Sequence, residues 1–185
     1  MENPVLEAIY NRSSIRGYRA TPVSEEQLEA LVNAALASPT ARNLQKLYFS
    51  FVTDQEMINE LELATYDYFV EMKDENTLKL LDSRNKKIIY DAPLFVAISN
   101  EKENNFGRID AGIAVQSMAI AAKSLGLDSV ILGFPGMAFA SKRGDYFREK
   151  LRFPEGYDYI IGIAIGTAAV AKAPHEKDRS KVVYI

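Results

Sequence analysis

Two arginines and two serines near the start of the chain are the residues best suited to bind an anion. They lie in residues 12–16 (RSSIR), where two guanidinium groups four positions apart enclose two hydroxyl groups. All of these groups donate hydrogen bonds, and those from the guanidinium groups are charge-assisted. The pattern favours one phosphate or carboxylate held by several donors. The alternative is a solvated basic turn, because charged clusters of this length usually face water.

A second polar segment, residues 38–45 (SPTARNLQ), follows a predicted helix and precedes a predicted strand. The hydroxyl of Thr40 and the side-chain amides of Asn43 and Gln45 can each donate and accept hydrogen bonds. That chemistry suits the edge of a heterocycle or a polyol chain. The alternative is a loop that only ends the helix, with Asn and Gln in turns.

The composition excludes most of the chemistry that side chains perform by themselves. The 185 residues include no cysteine and one histidine, His175, which excludes thiol nucleophiles, iron–sulfur clusters and multi-histidine metal sites. His175 lies in a polar stretch, where we expect a surface position. Neither G-x-G-x-x-G nor G-x-x-x-x-G-K-[ST] occurs in the sequence. We therefore expect a bound cofactor whose phosphate is held by side chains, and no metal.

Charge and hydropathy argue against two classes of partner. The formal net charge of -3 gives no general field for nucleic acid or an anionic membrane. The longest apolar run, residues 159–171, is shorter than the roughly 20 residues that span a bilayer. The first ten residues lack a basic start and an apolar core, so we expect no signal peptide and a cytoplasmic location.

Hydrophobic spacing predicts the elements that must position the two polar segments. A helix over residues 4–11 precedes RSSIR, and a capping box at Ser24 begins a second helix that ends before Pro39. Strands are predicted at residues 47–52, 93–99, 129–132 and 159–165, and helices at 57–64, 65–91, 107–125 and 141–151. Helices and strands do not alternate strictly. The predicted fold class is therefore α+β, in one domain of residues 1–185.

Taken together, the two polar segments resemble those of the nitroreductase family of flavin mononucleotide (FMN) enzymes. Four later motifs follow in the order of that family: residues 110–116 (DAGIAVQ), 126–130 (GLDSV), 154–157 (PEGY) and 177–179 (KDR). Each motif is short, but their order and spacing cover nearly the whole chain. The resemblance implies a central, mostly antiparallel sheet flanked by helices. It also implies an intertwined homodimer with flavin sites at the shared interface.

The resemblance further implies roles for particular residues around FMN. Arg12 and Ser14 would hold the phosphate, and Arg16 would stabilise the negative charge that gathers at flavin N1 and O2 on reduction. Asn85 would bond the pyrimidine edge. The other implied contacts are Arg179 at the phosphate; Thr40, Asn43 and Gln45 from the partner subunit; Leu132 and Gly133 facing flavin N5; and Ser13, Pro39, Ala41 and Lys177 elsewhere on the cofactor.

The chain departs from the family pattern at several positions. Thr40 stands where serine is usual, and Lys46 and Leu47 replace the usual proline and aromatic residue. Ile88 stands where the family has a lysine, although two lysines immediately precede it. The chain is also short for the family, so we expect residues 61–91 to lack a full lid over the flavin.

The activity implied by the resemblance is hydride transfer from NAD(P)H to flavin N5 and then to a nitroaromatic, quinone or similar acceptor, in ping-pong order. The implied partners are a second copy of the chain, NAD(P)H and a small redox-active substrate. Residues 171–185 end in four β-prone residues and are expected to pack on the partner subunit. Two alternatives stay open: a flavin carrier, sensor or other flavin enzyme of the same fold, and an α+β interaction module without a ligand.

Overall fold

A four-stranded antiparallel sheet lies at the centre of the computed structural model, which describes residues 3–185. Its strands are β1 (Leu47–Val52), β2 (Leu94–Glu101), β3 (Asp128–Leu132) and β4 (Tyr157–Gly166). They are arranged in the order β1-β2-β4-β3, and every neighbouring pair is antiparallel. The predicted α+β class and antiparallel sheet are confirmed, and all four predicted strands are present.

Helices cover both faces of the sheet, and two of them begin where the sequence predicts a cap. Asn3 accepts hydrogen bonds from the backbone N–H groups of Val5 and Leu6, and Ser24 and Gln27 form a reciprocal capping box. The α-helices in the described residues are α1 (Pro4–Asn11), α2 (Glu25–Leu36), α3 (Gln55–Glu71), α4 (Glu75–Asp82), α5 (Gly107–Ser124), α6 (Gly136–Ala140) and α7 (Gly144–Lys150). Short 3₁₀ turns occupy Ala41–Asn43 and Arg179–Lys181.

The side chains of β2 alternate between two apolar cores. Phe95 and Ala97 pack in the core that includes residues of α3, α6 and α7. Leu94, Val96 and Ile98 pack in the opposite core, against α2 and α5. Because both faces of β2 are covered, the strand is a continuous apolar run rather than an alternating one.

The predicted helix over residues 65–91 is wrong in its last part. α3 continues to Glu71 and α4 ends at Asp82, but residues 83–91 form a turn segment without regular structure. Four of its residues have positive φ angles, which no right-handed helix accommodates. Ile88 and Ile89, the scattered apolar residues that suggested a helix here, are buried, although the backbone that carries them is irregular.

The predicted helix over residues 141–151 is wrong at its start. α6 ends at Ala140, and Ser141 closes it by donating a side-chain hydrogen bond to the carbonyl of Ala138. α7 then begins at Gly144. A side chain at Gly144 would collide with the carbonyl oxygen of Phe139, with its Cβ only 2.1 Å away, so the tight turn between the helices requires glycine.

Residues 171–185 lie on the outside of the chain, and every one of them is exposed. We call them the C-terminal tail. The β-prone end of the tail forms no strand with the rest of the described chain, and the exposed fraction of Tyr184 is 89%. Separately, none of the helices within residues 3–185 has the length and apolar character needed to cross a membrane.

Candidate active site

The RSSIR segment is extended and lies between an edge of the sheet and the chain that follows β4. The backbone N–H of Ile15 donates to the carbonyl of Ser129 on β3 at 3.1 Å. On the other side, Ala169 donates to the carbonyl of Gly17, and Arg19 donates to the carbonyl of Thr167. These bonds fix the backbone of the segment on two sides. Ser14 and Arg16 therefore flank a residue that is bonded to the sheet, whereas Arg12 is placed by the end of α1, where its N–H donates to the carbonyl of Ala8.

Tyr18 holds the end of this segment from inside the core. Its buried hydroxyl donates to the carbonyls of Ile15, at 3.0 Å, and Ala164, at 3.3 Å. Burial raises the pKa of Tyr18 well above its ordinary value of 10.0, and the nearby Asp128 carboxylate raises it further. The phenol therefore remains a neutral hydrogen-bond donor over the whole physiological range.

The predicted residues of the RSSIR segment differ in what they have available for a ligand. Arg12 and Ser14 are half-buried and Arg16 is exposed, and none of the three side chains has a hydrogen-bond or ion-pair partner within residues 3–185. Ser13 is buried instead, and its hydroxyl donates to the carbonyl of Lys172 at 2.7 Å. A ligand contact through the Ser13 hydroxyl would have to replace that bond.

Arg16 and Asn85 lie in the same cleft, although they are far apart in the sequence. The cleft has a volume of about 320 Å³ and is lined by Arg16, Gly17, Arg84, Asn85, Lys87, Tyr90 and Asp91. We call it the Arg16 cleft. Three of its residues are cations and one is an anion, so it favours an electron-rich or anionic group. Asn85 makes no side-chain hydrogen bond within the described residues, so its amide can both donate and accept.

The two lysines before Ile88 occupy different environments. Lys87 lines the Arg16 cleft and forms ion pairs with Asp91, at 2.6 Å, and with Glu62, at 3.6 Å. Its hydrogen bond with Asp91 raises the pKa of Lys87, and the charge of Glu62 adds to that effect. Lys86 instead places its ammonium 4.3 Å from the ring centre of Tyr66. Ile88 is buried and contributes no polar group to the cleft. Of Lys86 and Lys87, only Lys87 lines the cleft.

The loop that contains Pro39, Thr40 and Ala41 is held by its own side chains and by α5. The hydroxyl of Thr40 accepts the backbone N–H of Gln45 at 3.0 Å, and the Gln45 amide donates to Asn43 at 2.9 Å. Arg42, Asn43 and Gln45 have positive φ angles. This loop does not line the Arg16 cleft of its own chain.

Asp110 anchors the same loop from the first turn of α5. It is 1% exposed, and its Oδ1 accepts the backbone N–H of Ala41 at 2.9 Å. Its other oxygen, Oδ2, has no hydrogen-bond partner in the described chain. A buried carboxylate oxygen without a partner lowers stability, so its presence in a native fold calls for an explanation, such as a role in function.

Leu132 and Gly133 lie where β3 ends. The carbonyl of Leu132 accepts a 2.8 Å hydrogen bond from the hydroxyl of Tyr159, and burial raises the pKa of that phenol. Gly133 is exposed, and no atom lies within 4 Å of the position that a Cβ would take. The backbone is therefore fixed at Leu132 by the buried Tyr159 hydroxyl, and it is accessible to a ligand at Gly133.

The structure does not bring the predicted basic pair of the C-terminal tail to Arg12. Lys177 places its ammonium 3.9 Å from the ring centre of Tyr10 on α1, and Arg179 is exposed in a 3₁₀ turn capped by Asp178. In residues 3–185 no hydrogen bond or ion pair connects Arg179 with Arg12 or Ser14. The cofactor contacts of Lys177 and Arg179 remain predictions.

Sequence reasoning missed the two buried carboxylates that hold these loops, Asp110 and Glu62. Glu62 is 6% exposed, and it lies on the apolar face of α3 directly after Leu61. A charged residue at a core position of an amphipathic helix is a signal that could have identified it. Asp110 gives a similar signal, because the rest of the inner face of α5 is apolar.

These features define an α+β protein with a cation-lined ligand cleft beside an antiparallel sheet. The chain belongs to the nitroreductase family, because the model of that family matches residues 9–167. The match includes every predicted cofactor-binding residue except Lys177 and Arg179.

Individual relatives agree with this assignment. The chain is 30% identical to an NADPH-flavin oxidoreductase of Vibrio harveyi over 89% of its own length and 65% of the relative. It is 33% identical to FMN reductase [NAD(P)H] of Bacillus subtilis, over 96% of the chain and 68% of that protein. A crystal structure of a nitroreductase with bound FMN from Desulfitobacterium hafniense superposes with a TM-score of 0.95, at 32% identity and with 100% of both chains covered. The chain spans slightly less than two thirds of the length of the Vibrio harveyi relative.

Proposed function

We propose that this protein is an FMN-dependent oxidoreductase that accepts hydride from NAD(P)H and passes electrons to a nitroaromatic, quinone or similar acceptor in ping-pong order. The observation that carries the proposal is the meeting of Arg16 and Asn85 in one cleft. Relatives over most of the chain are named as NADPH-flavin and FMN reductases. The small number of nucleophilic and acid–base side chains agrees with chemistry performed by a cofactor.

The donor set of this chain fits FMN. Arg12 and Ser14 offer a guanidinium and a hydroxyl without competing partners, which suits a phosphate dianion. Arg16 and Asn85 offer a cation and an amide, which suit the N1 and O2 edge of the ring system. Bound FMN would supply the hydride-accepting atom. Arg16 would favour the reduced form, because a cation stabilises the negative charge at that edge.

We further propose that the chain forms a homodimer. α1 and α5 expose apolar side chains, among them those of Val5, Ile9 and Ile109. The exposed fraction of Ile109 is 62%. α1 and α5 pack on each other, and we take their exposed apolar side chains as the candidate contact surface. The loop of residues 39–45 does not line the Arg16 cleft of its own chain, so we propose that it makes its predicted flavin contacts in the second protomer. The homodimer would therefore complete each flavin site.

The C-terminal tail is proposed to pack on the partner as the outer part of that interface. Residues of β1 make no backbone hydrogen bond beyond the ladder with β2 in the described chain, so one edge of the sheet is open. A groove of about 490 Å³ runs along this edge, lined by β1, Met57 and residues 150–152. The β-prone residues 182–185 of a partner are suited to such an edge. We also propose a cytoplasmic location, in keeping with the proposed use of NAD(P)H as the hydride donor.

The test is an anaerobic titration of protein reconstituted with FMN. We expect FMN at a hundred times its dissociation constant to stabilise the protein by about 2.7 kcal/mol. We also expect flavin absorbance to bleach with NADH or NADPH and to return on addition of a nitroaromatic or a quinone. A protein that does not bind FMN would refute the proposal. Bound FMN that neither nicotinamide reduces would identify a flavin protein of another activity.

A further inference from the structure

Glu62 on α3 hydrogen-bonds the backbone of the segment that carries Asn85 and Lys87. Its buried Oε1 accepts the N–H groups of Ile88, at 2.7 Å, and Ile89, at 2.5 Å. Hydrogen bonds to a charged acceptor are roughly twice as strong as neutral ones. A single carboxylate thus fixes two consecutive peptide groups in the middle of residues 83–91.

The charge of Glu62 is compensated from the cleft side. Its Oε2 lies 3.6 Å from the ammonium of Lys87, which also pairs with Asp91 four residues later. A buried carboxylate is costly unless it is hydrogen-bonded and paired, and Glu62 satisfies both conditions. The position of Lys87 at the cleft is therefore coupled to the position of Glu62.

The segment that Glu62 holds contains unfavourable backbone conformations on both sides of the two bonds. Asn85 and Lys86 precede them with φ angles of 53° and 61°, and Tyr90 and Asp91 follow with 63° and 60°. Residues other than glycine adopt such angles at a cost, so they persist only where surrounding contacts fix them. Glu62 supplies two of those contacts at the centre of the segment.

We propose that Glu62 is a positioning residue, which through its two backbone hydrogen bonds holds Asn85 and Lys87 at the Arg16 cleft. Lys87 then supplies a cation to the cleft beside Arg16 and Arg84, one residue before Ile88, which stands where the resemblance places a lysine. The ligand of the cleft rests on the proposed function, but the hold of Glu62 on residues 88 and 89 does not. Glu62 does not line the cleft and acts only through the segment.

Two substitutions of similar size separate this role from simple packing. Glu62→Gln keeps an oxygen that can accept both N–H groups, whereas Glu62→Met fills the same space without an acceptor. We expect Glu62→Met to accelerate amide hydrogen exchange at Ile88 and Ile89 and to weaken FMN binding roughly tenfold, as for the loss of a charge-assisted contact. Glu62→Gln should retain most of the exchange protection and most of the FMN affinity. Glu71→Met, at an exposed position of α3, is the control and should leave both unchanged.

A role in packing alone would give a different pattern. The proposal is overturned if Glu62→Met keeps wild-type exchange and wild-type FMN affinity, or if Glu62→Gln binds FMN as weakly as Glu62→Met. If Glu62→Met does not fold, Glu62→Asp replaces it, because the shorter side chain keeps the charge and cannot reach both N–H groups; the same outcomes apply. If the wild-type protein binds no FMN, the proposed function fails, while exchange at Ile88 and Ile89 still decides whether Glu62 holds the segment.

Discussion

The hydroxyl of Tyr18 donates to the carbonyl oxygen of Ile15, three residues earlier, at 3.0 Å. The bond closes a short turn in which Ile15 and Tyr18 are buried and Arg16 is exposed. Backbone hydrogen bonds tie Ile15 to β3, through Ser129, and Gly17 to the chain that follows β4, through Ala169. Arg16 therefore reaches the cleft from a rigid base, which is what an electrostatic role requires.

Arg16→Gln should weaken FMN binding and make the midpoint potential of the bound flavin more negative. The cation favours the reduced, anionic ring, and a charge-assisted contact contributes about 1.5–3 kcal/mol, so we expect at least a roughly tenfold rise in the dissociation constant. Flavin fluorescence titration and a spectroelectrochemical titration measure the two effects. Arg19→Gln, three residues further on and exposed, is the matched control and should change neither. Equal effects of the two variants would contradict the role of Arg16.

Arg12→Ala should weaken the binding of FMN but leave the binding of riboflavin unchanged. Riboflavin carries the same ring system without the phosphate, so the difference between the two ligands isolates the predicted phosphate contact. We expect a roughly tenfold or greater loss for FMN, as for one charged hydrogen bond. The measurement is a pair of fluorescence titrations on the variant and the wild type. A parallel loss for both ligands would place Arg12 elsewhere on the cofactor.

Asp110→Ala should release the loop of residues 39–45 and weaken FMN binding. The substitution removes the acceptor for the N–H of Ala41, and the unpartnered donor costs about 1–3 kcal/mol where it stays buried. Faster amide exchange at Ala41, measured by NMR, checks the structural part, and FMN titration checks the functional part. Asp67→Ala, at an exposed position of α3, serves as the control. Loop exchange that is unchanged in Asp110→Ala would show that other contacts hold the loop.

Tyr18→Phe should reduce the loss of stability at alkaline pH. Burial raises the pKa of Tyr18 above its ordinary value of 10.0, so the unfolded chain ionises first. The contribution of Tyr18 is complete below pH 10 and is lost as the pH rises toward the pKa of the folded state, by about 1.4 kcal/mol per pH unit. Urea unfolding between pH 8 and about 11 measures the slope. The variant should be less stable near neutrality, because it lacks the hydroxyl whose proton is shared between the carbonyls of Ile15 and Ala164. It should lose less stability above pH 10; a slope equal to that of wild type would refute the assignment.

Deletion of residues 182–185 should weaken dimerisation. These residues are exposed in the isolated chain, and we propose that they cover the open edge of β1 in the partner. Sedimentation velocity over a range of protein concentrations would detect the shift toward monomer. FMN affinity should fall with the dimer, because residues 39–45 are predicted to contact the flavin of the partner. A deletion variant that remains fully dimeric would exclude this role for the tail.

Local patterns predicted the elements but not the turns between them. The capping box at Ser24 and the apolar run of β2 depend on neighbouring residues, and both predictions are confirmed. The irregular segment at residues 83–91 depends on Glu62, which lies more than twenty residues earlier, so no local pattern could reveal it. A local pattern likewise does not place Arg16 beside Asn85; only the family resemblance predicted that both residues contact the flavin ring, and the structure brings them into one cleft.

The order of strands gives the sheet two edges of unequal availability. The outer edge of β3 is partly occupied by its own chain, through the backbone bond from Ile15 to Ser129, whereas the outer edge of β1 makes no such bond in the described residues. In the proposed homodimer each protomer would offer one site for an added strand and one tail to fill it. A reciprocal exchange of tails between two protomers would occupy the open edge of both sheets, so no unpaired β1 edge would remain for a third chain. The fold would in this way limit its own assembly to a closed pair and avoid growth into fibres.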